Sequence, residues 1–421
     1  MLDLPWERSL GDWPVEADGT IAGMRIRELP IGPSRHLVRF LVSERRTYAL
    51  KEEPLEVARS EFEVLRHLDA KGLPAVNPLG LAESPDRTTG ILVTEYLEFS
   101  IQYRRLLMRF PFGPGPYRDR LLDAMAWLLV DLHRAGVYWG DCSLANTLFR
   151  RDGDKIQAFL VDAETSEIHP RLSDGQRAYD LDILVENVAF GLADLGAMQG
   201  REGAADDAID AAESVRDRYA AVWDELTLEP DLSPTDRHAV RARIRRLNDL
   251  GFAIDEISLE PSPGRDDVVR LKIAVANRRF HARELERLTG IKALEGQAQV
   301  LLNDLWEHKA WMEHDLGRPV SEDEAAERWM HFVLEPSLAA LVPAIGPGRD
   351  PLQAYSDVLE QKWIMSEAAG TDIGLRPAID AYLGLGAPAP EGDGRREDAG
   401  LDLDIDWSGG WEAVPEDDDG E

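Results

Sequence analysis

The run GVYWGDCSLANTLFRRDGDKIQAFLVDAE, residues 136–164, constrains this chain more than any other stretch of it. It closes an apolar, helix-like segment and then sets an acid at Asp141, an amide at Asn146 and, after an apolar run, a second acid at Asp162. Asp, Asn and Gly favour loops through local side chain to backbone hydrogen bonds, so turn chemistry alone accounts for such residues. The same groups also make a metal and phosphate site. The rest of the chain has to discriminate.

At 421 residues the chain is too long for one compact core, and two or three domains are expected. A formal charge of -32 opposes non-specific nucleic-acid binding, whose affinity comes from Lys and Arg neutralising phosphates. The single cysteine, Cys142, excludes an intrachain disulfide and a multi-cysteine zinc cage, and reads as an inert packed residue. The nine histidines form no H-E-x-x-H pattern, so a zinc enzyme has no support. No basic-then-apolar leader opens the sequence, and Asp123 and Asp131 break the longest apolar stretch. A cytoplasmic protein without a membrane span is therefore expected.

Along the chain, MRIRELP, HLVRFLV and RTYALKEEP read as strands, and LEVARSEFEVLRHLDAKG as a helix with Val57, Phe62, Leu65 and Leu68 on its apolar stripe. GILVTEYLE is a further strand, and residues 118–135 and YDLDILVENVAFGLADL are apolar helices. A polar stretch at residues 201–214 suggests a boundary. Beyond it, Ser233 with Pro234 resembles a helix start, Gly251 a helix stop, and SPGRDD the turn of a β-hairpin. Arginines cluster there, from Arg237 to Arg246 and from Arg270 to Arg283. Pairing with neighbouring acids is the simpler reading of that face, over an anion site or a nucleic-acid surface. Trp127, Trp306, Trp311 and Trp329 fall on apolar helical faces and read as core. The last stretch, from Glu391, carries 13 acids against 2 arginines and is expected to be disordered, with a protein partner as its alternative use.

Phosphoryl transfer needs a carboxylate to orient the acceptor, oxygen ligands for magnesium and a cation for the donor phosphates. Candidates occur upstream of the opening run. Lys51 lies in a strand, and Glu61 on the following helix. Each residue alone is weak, but the order Lys51, Glu61, Asp141, Asn146, Asp162 in strand, helix and loop contexts is specific.

Residues 24–200 resemble the protein-kinase-like superfamily, and WGDCSLANTLF is most similar to the H-G-D-x-x-x-x-N loop of its aminoglycoside and lipopolysaccharide (Kdo) kinase-like branches. RIRRLNDLGF and QKWIMSEAAGTDIGL downstream resemble a bacterial family of unknown function with such a kinase-like domain. The resemblance implies an α+β, bilobal kinase-like domain over 1–203, with an N-lobe about 20–97 and a C-lobe about 98–203. A mainly helical domain with one hairpin over 215–385 and a disordered tail over 386–421 would follow.

The same resemblance implies that Asp141 orients or deprotonates the acceptor hydroxyl, that Asn146 and Asp162 hold Mg2+, and that Lys51, paired with Glu61, binds ATP phosphates. Thr94 would be the gatekeeper, with adenine bound near Glu95 and Leu97, and either Asp180 or Asp182 would brace the catalytic loop. Three departures stand out. Trp139 replaces the usual His; Ala163 and Glu164 replace Phe and Gly, so that Glu164 offers a further carboxylate; and only Gly32 remains in the phosphate loop, beside Pro33, Ser34 and Arg35. Only 18 residues separate Asp162 from Asp180, with no A-P-E, which disfavours peptide substrates. The expected activity is phosphotransfer to a sugar, lipid-linked or other small hydroxyl acceptor. The alternative is a pseudokinase that regulates or scaffolds.

Overall fold

The computed structural model describes residues 4–29, 35–43, 46–108, 115–201, 203–233, 236–262 and 265–388. Gly32, Pro33, Ser34 and the acidic tail from residue 389 lie outside them.

The chain begins with a six-stranded antiparallel sheet of order β1-β2-β3-β4-β6-β5. Its strands are β1 (Thr20–Ile21), β2 (Met24–Arg27), β3 (Leu37–Ser43), β4 (Arg46–Pro54), β5 (Pro78–Glu83) and β6 (Thr89–Glu95). Alternation in β4 sends Leu50 into a core with Leu41, Ile91 and Val93, and turns Lys51 and Glu53 to the other face. Helix α1 (Leu55–Ala70) packs on that face, close enough at Gly90 that a Cβ there would lie 2.8 Å from Ala58 Cβ. Its buried stripe is Ala58, Glu61, Leu65 and Leu68, and Gly72, at φ +63, ends it as expected. A glutamate therefore occupies an apolar stripe, and burial at that position requires a cationic partner.

The second lobe is built around α3 (Pro116–Arg134), reached through β7 (Ile101–Gln102) and α2 (Tyr103–Met108). Short β8 (Val137–Tyr138) leads to the loop that carries Asp141. The hairpin of β9 (Thr147–Asp152) and β10 (Lys155–Leu160) follows, and β11 (Glu167–Ile168) returns to pair with β8. Val76 N donates to Leu160 O at 2.9 Å and Leu160 N to Pro74 O at 3.0 Å, which ties the end of β10, two residues before Asp162, to the first lobe. Helix α5 (Ala204–Thr227) packs against both α3 and α4 (Asp174–Met198). Hydrophobic packing is continuous through residues 203–215: Ala208, Ala212, Val215 and Tyr219 of α5 share one core with Leu129, Leu184 and Val188.

A three-stranded sheet follows, formed by β12 (Asp231–Leu232), β13 (Phe252–Ser262) and β14 (Arg265–Arg278), with α6 (Arg237–Asp249) between β12 and β13. The expected hairpin is present. The expected cap is not: α6 starts at Arg237 because the Asp236 carboxylate accepts Ala239 N–H at 2.9 Å, while Ser233 directly follows strand β12. The arginines of α6 and β14 are partly neutralised, Arg243 and Arg246 by Glu225 and Arg270 by Asp231.

Six helices, α7 (Phe280–Thr289), α8 (Glu295–Leu316), α9 (Glu322–Trp329), α10 (Glu335–Ile345), α11 (Pro351–Ala369) and α12 (Leu375–Gly384), enclose a separate core of Leu301, Leu305, Trp329, Tyr355 and Val358. Trp329 is fully buried, but Trp311 is 61% exposed. Helix α8 buries its Leu301, Leu305 and Met312 stripe, and Trp311 lies off it, stacked on His308.

This helical part grips the β9–β10 hairpin tip. Gln297 N donates to Asp152 Oδ1 at 2.8 Å, Gln353 accepts from Gly153 N and donates to Gly153 O at 2.9 Å each, and Arg151 meets Asp357 at 2.7 Å. The contact is tight enough that a Cβ on Gly296 would lie 2.2 Å from Asp152 O.

Candidate active site

The two lobes leave a cleft of about 210 Å³ between them, lined by Lys51, Glu61, Thr94, Glu95, Leu97, Asn146 and Asp162 among others. Seven of the sequence-predicted residues thus share one cavity. Asp141 stands outside this lining and is joined to it by Asn146, whose Nδ2 donates to Asp141 O at 3.1 Å and to Asp141 Oδ2 at 3.0 Å. Ser34 lies outside the described residues.

Lys51 is the hub. Its Nζ lies 2.9 Å from Glu61 Oε2, 3.1 Å from Asp162 Oδ1 and 3.0 Å from Glu53 Oε2. Burial alone would lower the lysine pKa; Glu61, Asp162 and Glu53 outweigh it and keep the ammonium charged well above its usual range. Burial pushes Glu61 up against the opposing pull of Lys51, with Glu53 and Asp162 adding like-charge repulsion. Ala163 N donates to the other Glu61 oxygen at 3.2 Å, so the α1 glutamate also positions the backbone beside Asp162.

The brace of the Asp141 loop is Asp180. Its carboxylate accepts from Trp139 N at 2.7 Å and Gly140 N at 2.8 Å, and it is fully buried. Asp182 points outward and pairs with Arg216. Sequence reasoning missed two partners of this brace. His133 Nε2 lies 3.1 Å from Asp180 Oδ2 and its Nδ1 lies 2.8 Å from Tyr219 OH. A carboxylate only accepts, so Nε2 carries the proton and neutral Nδ1 accepts from the tyrosine. The imidazole absent at Trp139 is thus supplied from α3. The signal was a histidine directly after the apolar Leu132, in the last turn of α3. Cys142 is buried, burial pushes its thiol well up, and its carbonyl accepts from Asn187.

Sequence reasoning also missed Glu53 and His36. Glu53 shares a strand face with Lys51, two residues on, which alternation alone would reveal. His36 Nε2 lies 2.7 Å from Glu164 Oε2.

A strand lysine paired with a helix glutamate and a metal-type acid, above a braced D-x-x-x-x-N loop, is the arrangement of a protein-kinase-like fold. Residues 44–198 match the model of the Lipopolysaccharide kinase (Kdo/WaaP) family, and residues 221–385 match a Domain of unknown function (DUF4032). The chain therefore joins a kinase-like domain of the Kdo branch to a C-terminal DUF4032 domain. It is similar to the Lipopolysaccharide core heptose(I) kinase WaaP of Pseudomonas aeruginosa, 27% identical over 130 residues, which is 28% of this chain and 48% of that protein. The chain thus spans about half the length of that curated relative. A solved structure, WaaP in complex with acyl carrier protein, aligns at 21% identity over 47% of this chain and 88% of that one, with a TM-score of 0.30. No helix among the described residues is long and apolar enough to cross a membrane.

Proposed function

We propose that this protein transfers the γ-phosphoryl group of Mg-bound ATP to the hydroxyl of a non-protein acceptor, a sugar or sugar-containing lipid. The single observation that carries the reading is Lys51, held at 2.9 Å from Glu61 and 3.1 Å from Asp162 on the wall of the interlobe cleft. Residues 44–198 belonging to the lipopolysaccharide kinase match supports the acceptor class.

The donor set suits magnesium, which takes hard oxygen ligands. Asp162 is a carboxylate with 29% of its side chain exposed, and Asn146 spends its Nδ2 on Asp141, leaving Oδ1 as its available donor. Bound there, the ion would neutralise charge on the transferred phosphate. Lys51 orients the donor phosphates, and Glu61 orients Lys51. Asp141, fixed by the Asn146 amide, accepts the acceptor's proton. Thr94 lines the adenine end, and because Glu95 N and Tyr96 N already donate to Asn77 O and Thr47 O, adenine recognition passes to the Leu97 amide. A small acceptor fits the short run after Asp162, where β11 pairs straight back on β8 and α4 begins at Asp174, leaving no peptide platform.

A pseudokinase is the second reading, favoured by the His36–Glu164 contact of 2.7 Å at the phosphate end of the cleft. Thermal unfolding with ATP and Mg2+ separates the two when coupled to a transfer assay on sugar acceptors. Nucleotide at 100 times its dissociation constant adds about 2.7 kcal/mol to stability, and Asp162→Ala abolishes that gain. No stabilisation of the wild type at millimolar ATP would overturn the enzyme reading; stabilisation without transfer to any sugar acceptor leaves the pseudokinase.

A further inference from the structure

Where the chain enters β3 it meets the acid triplet that begins at Asp162, and side chains from three separate segments converge. His36 precedes β3, Glu53 ends the Lys51 face of β4, and Glu164 lies two residues after Asp162. One donor atom from each, an imidazole nitrogen and two carboxylate oxygens, lies within 4.8 Å of the others. His36 Nε2 is 2.7 Å from Glu164 Oε2 and 4.0 Å from Glu53 Oε2.

The charge in this corner does not balance. The Glu53 side chain is completely buried; its carboxylate pairs with the Lys51 ammonium at 3.0 Å, lies 4.0 Å from His36 Nε2 and also meets the Glu61 carboxyl group. That ammonium is already shared with Glu61 at 2.9 Å and Asp162 at 3.1 Å, and Glu164 approaches it at 3.9 Å. Four carboxylates, Glu53 and Glu61 fully buried and Asp162 and Glu164 partly exposed, thus face one largely buried ammonium. Arg35 reaches Glu164 only at 3.7 Å with its side chain 85% exposed, where water screens most of its charge. Buried carboxylates in excess must take up protons or a cation, because charge left uncompensated in a low-dielectric site is costly.

We propose that His36, Glu53 and Glu164 bind a divalent transition metal, Zn2+ or Mn2+, at a site distinct from the Asn146–Asp162 pair. One imidazole and two carboxylates are the ligands such ions take, whereas Mg2+ prefers oxygen alone and keeps several waters. Ligand distances of about 2.0–2.2 Å require the His36–Glu164 pair to part and Glu53 to approach His36, each by a side-chain rotation smaller than about 1 Å. The ion replaces Lys51 as the partner of Glu53, frees that lysine for Glu61 and Asp162, and fastens the chain ahead of β3 to the acid triplet. The site stands whether or not the cleft transfers phosphate.

The test is calorimetric titration of the chelator-treated full chain with Zn2+, and paramagnetic resonance titration with Mn2+, both without nucleotide. One equivalent of at least one of these ions binds the wild type. His36→Ala and Glu164→Gln each weaken binding at least tenfold, while Asp162→Asn leaves it unchanged. Circular dichroism establishes that each variant is folded; if His36→Ala is not, Glu164→Gln and His36→Asn carry the comparison. The proposal is overturned if neither ion binds, if folded His36 and Glu164 variants bind like the wild type, or if Asp162→Asn abolishes binding and so assigns the ion to the other pair.

Discussion

The buried imidazole of His133 donates from Nε2 to Asp180 Oδ2 at 3.1 Å, and through that carboxylate it supports the backbone amides of Trp139 and Gly140. One histidine on α3, six residues upstream of the position where kinase-like loops carry theirs, keeps the Asp141 loop in register.

Asp180→Ala leaves three donors unpaired, two of them buried, and is expected to cost about 3–5 kcal/mol of folding stability. Asp182→Ala removes a surface pair with Arg216, the aspartate being 55% exposed, and should fall within about 0.5 kcal/mol of wild type. Urea unfolding of the two variants distinguishes them. Equal costs would sink the assignment of Asp180 as the brace.

Acid should destabilise the protein through His133. Burial lowers its folded pKa below the usual 6.5, so between the two values the unfolded chain holds a proton that the folded chain does not. The stability tied to neutral His133 is full above pH 6.5 and is lost as the pH falls toward the folded value, by at most about 1.4 kcal/mol per pH unit. Unfolding free energies from pH 7.5 to 5 should fall more steeply for wild type than for His133→Gln; parallel curves would contradict this.

Arg151 and Asp357 join the β9–β10 hairpin to the helical domain across a largely buried pair, with side-chain exposures of 11% and 8%. Removing either partner should cost about 3–5 kcal/mol, and the double substitution markedly less than the sum. A double-mutant cycle with a coupling energy near zero would show that the two parts are merely adjacent. If the proposed activity holds, both single variants should also lower kcat, because the hairpin lies between Asn146 and Asp162.

Gly136 turns the chain from α3 into β8 and the Asp141 loop at φ +80, and a Cβ there would lie 2.1 Å from His169 O. The conformation alone costs a side chain about 1–3 kcal/mol, so Gly136→Ala should lose at least that much in a thermal or urea melt. A near-neutral alanine would mean that β8 and β11 separate without cost.

Magnesium-bound nucleotide and the proposed Zn2+ or Mn2+ should stabilise the protein independently. Each ligand adds RT ln(1 + [L]/Kd), about 2.7 kcal/mol at 100 times its dissociation constant, and the two increments add when the sites do not interact. Melting curves with each ligand alone and with both test this, and mutually exclusive increments would place both ions in one site.

Lys51, Glu61, Asp141, Asn146 and Asp162 could be read in the sequence because chain order and local context carry them: a strand lysine, a helix acid, and a polar loop closed by an apolar hairpin. The strands, the hairpin near SPGRDD and the stop at Gly72 were readable for the same reason, since alternation and glycine act over a few residues. Other features needed the fold. Asp180 and Asp182 lie about 200° apart around a helix, and only the packing of α4 decides which is buried. His133 substitutes for a missing imidazole because α3 brings it beside Asp180, a contact across 47 residues that no local pattern encodes. The convergence of His36, Glu53 and Glu164 likewise exists only after two loops and a strand meet at Lys51. Sequence by itself determined which chemical groups this protein carries and in what order. Tertiary structure decided which carboxylates share one ammonium, because charge compensation in a buried site depends on distances that only the packed lobes set.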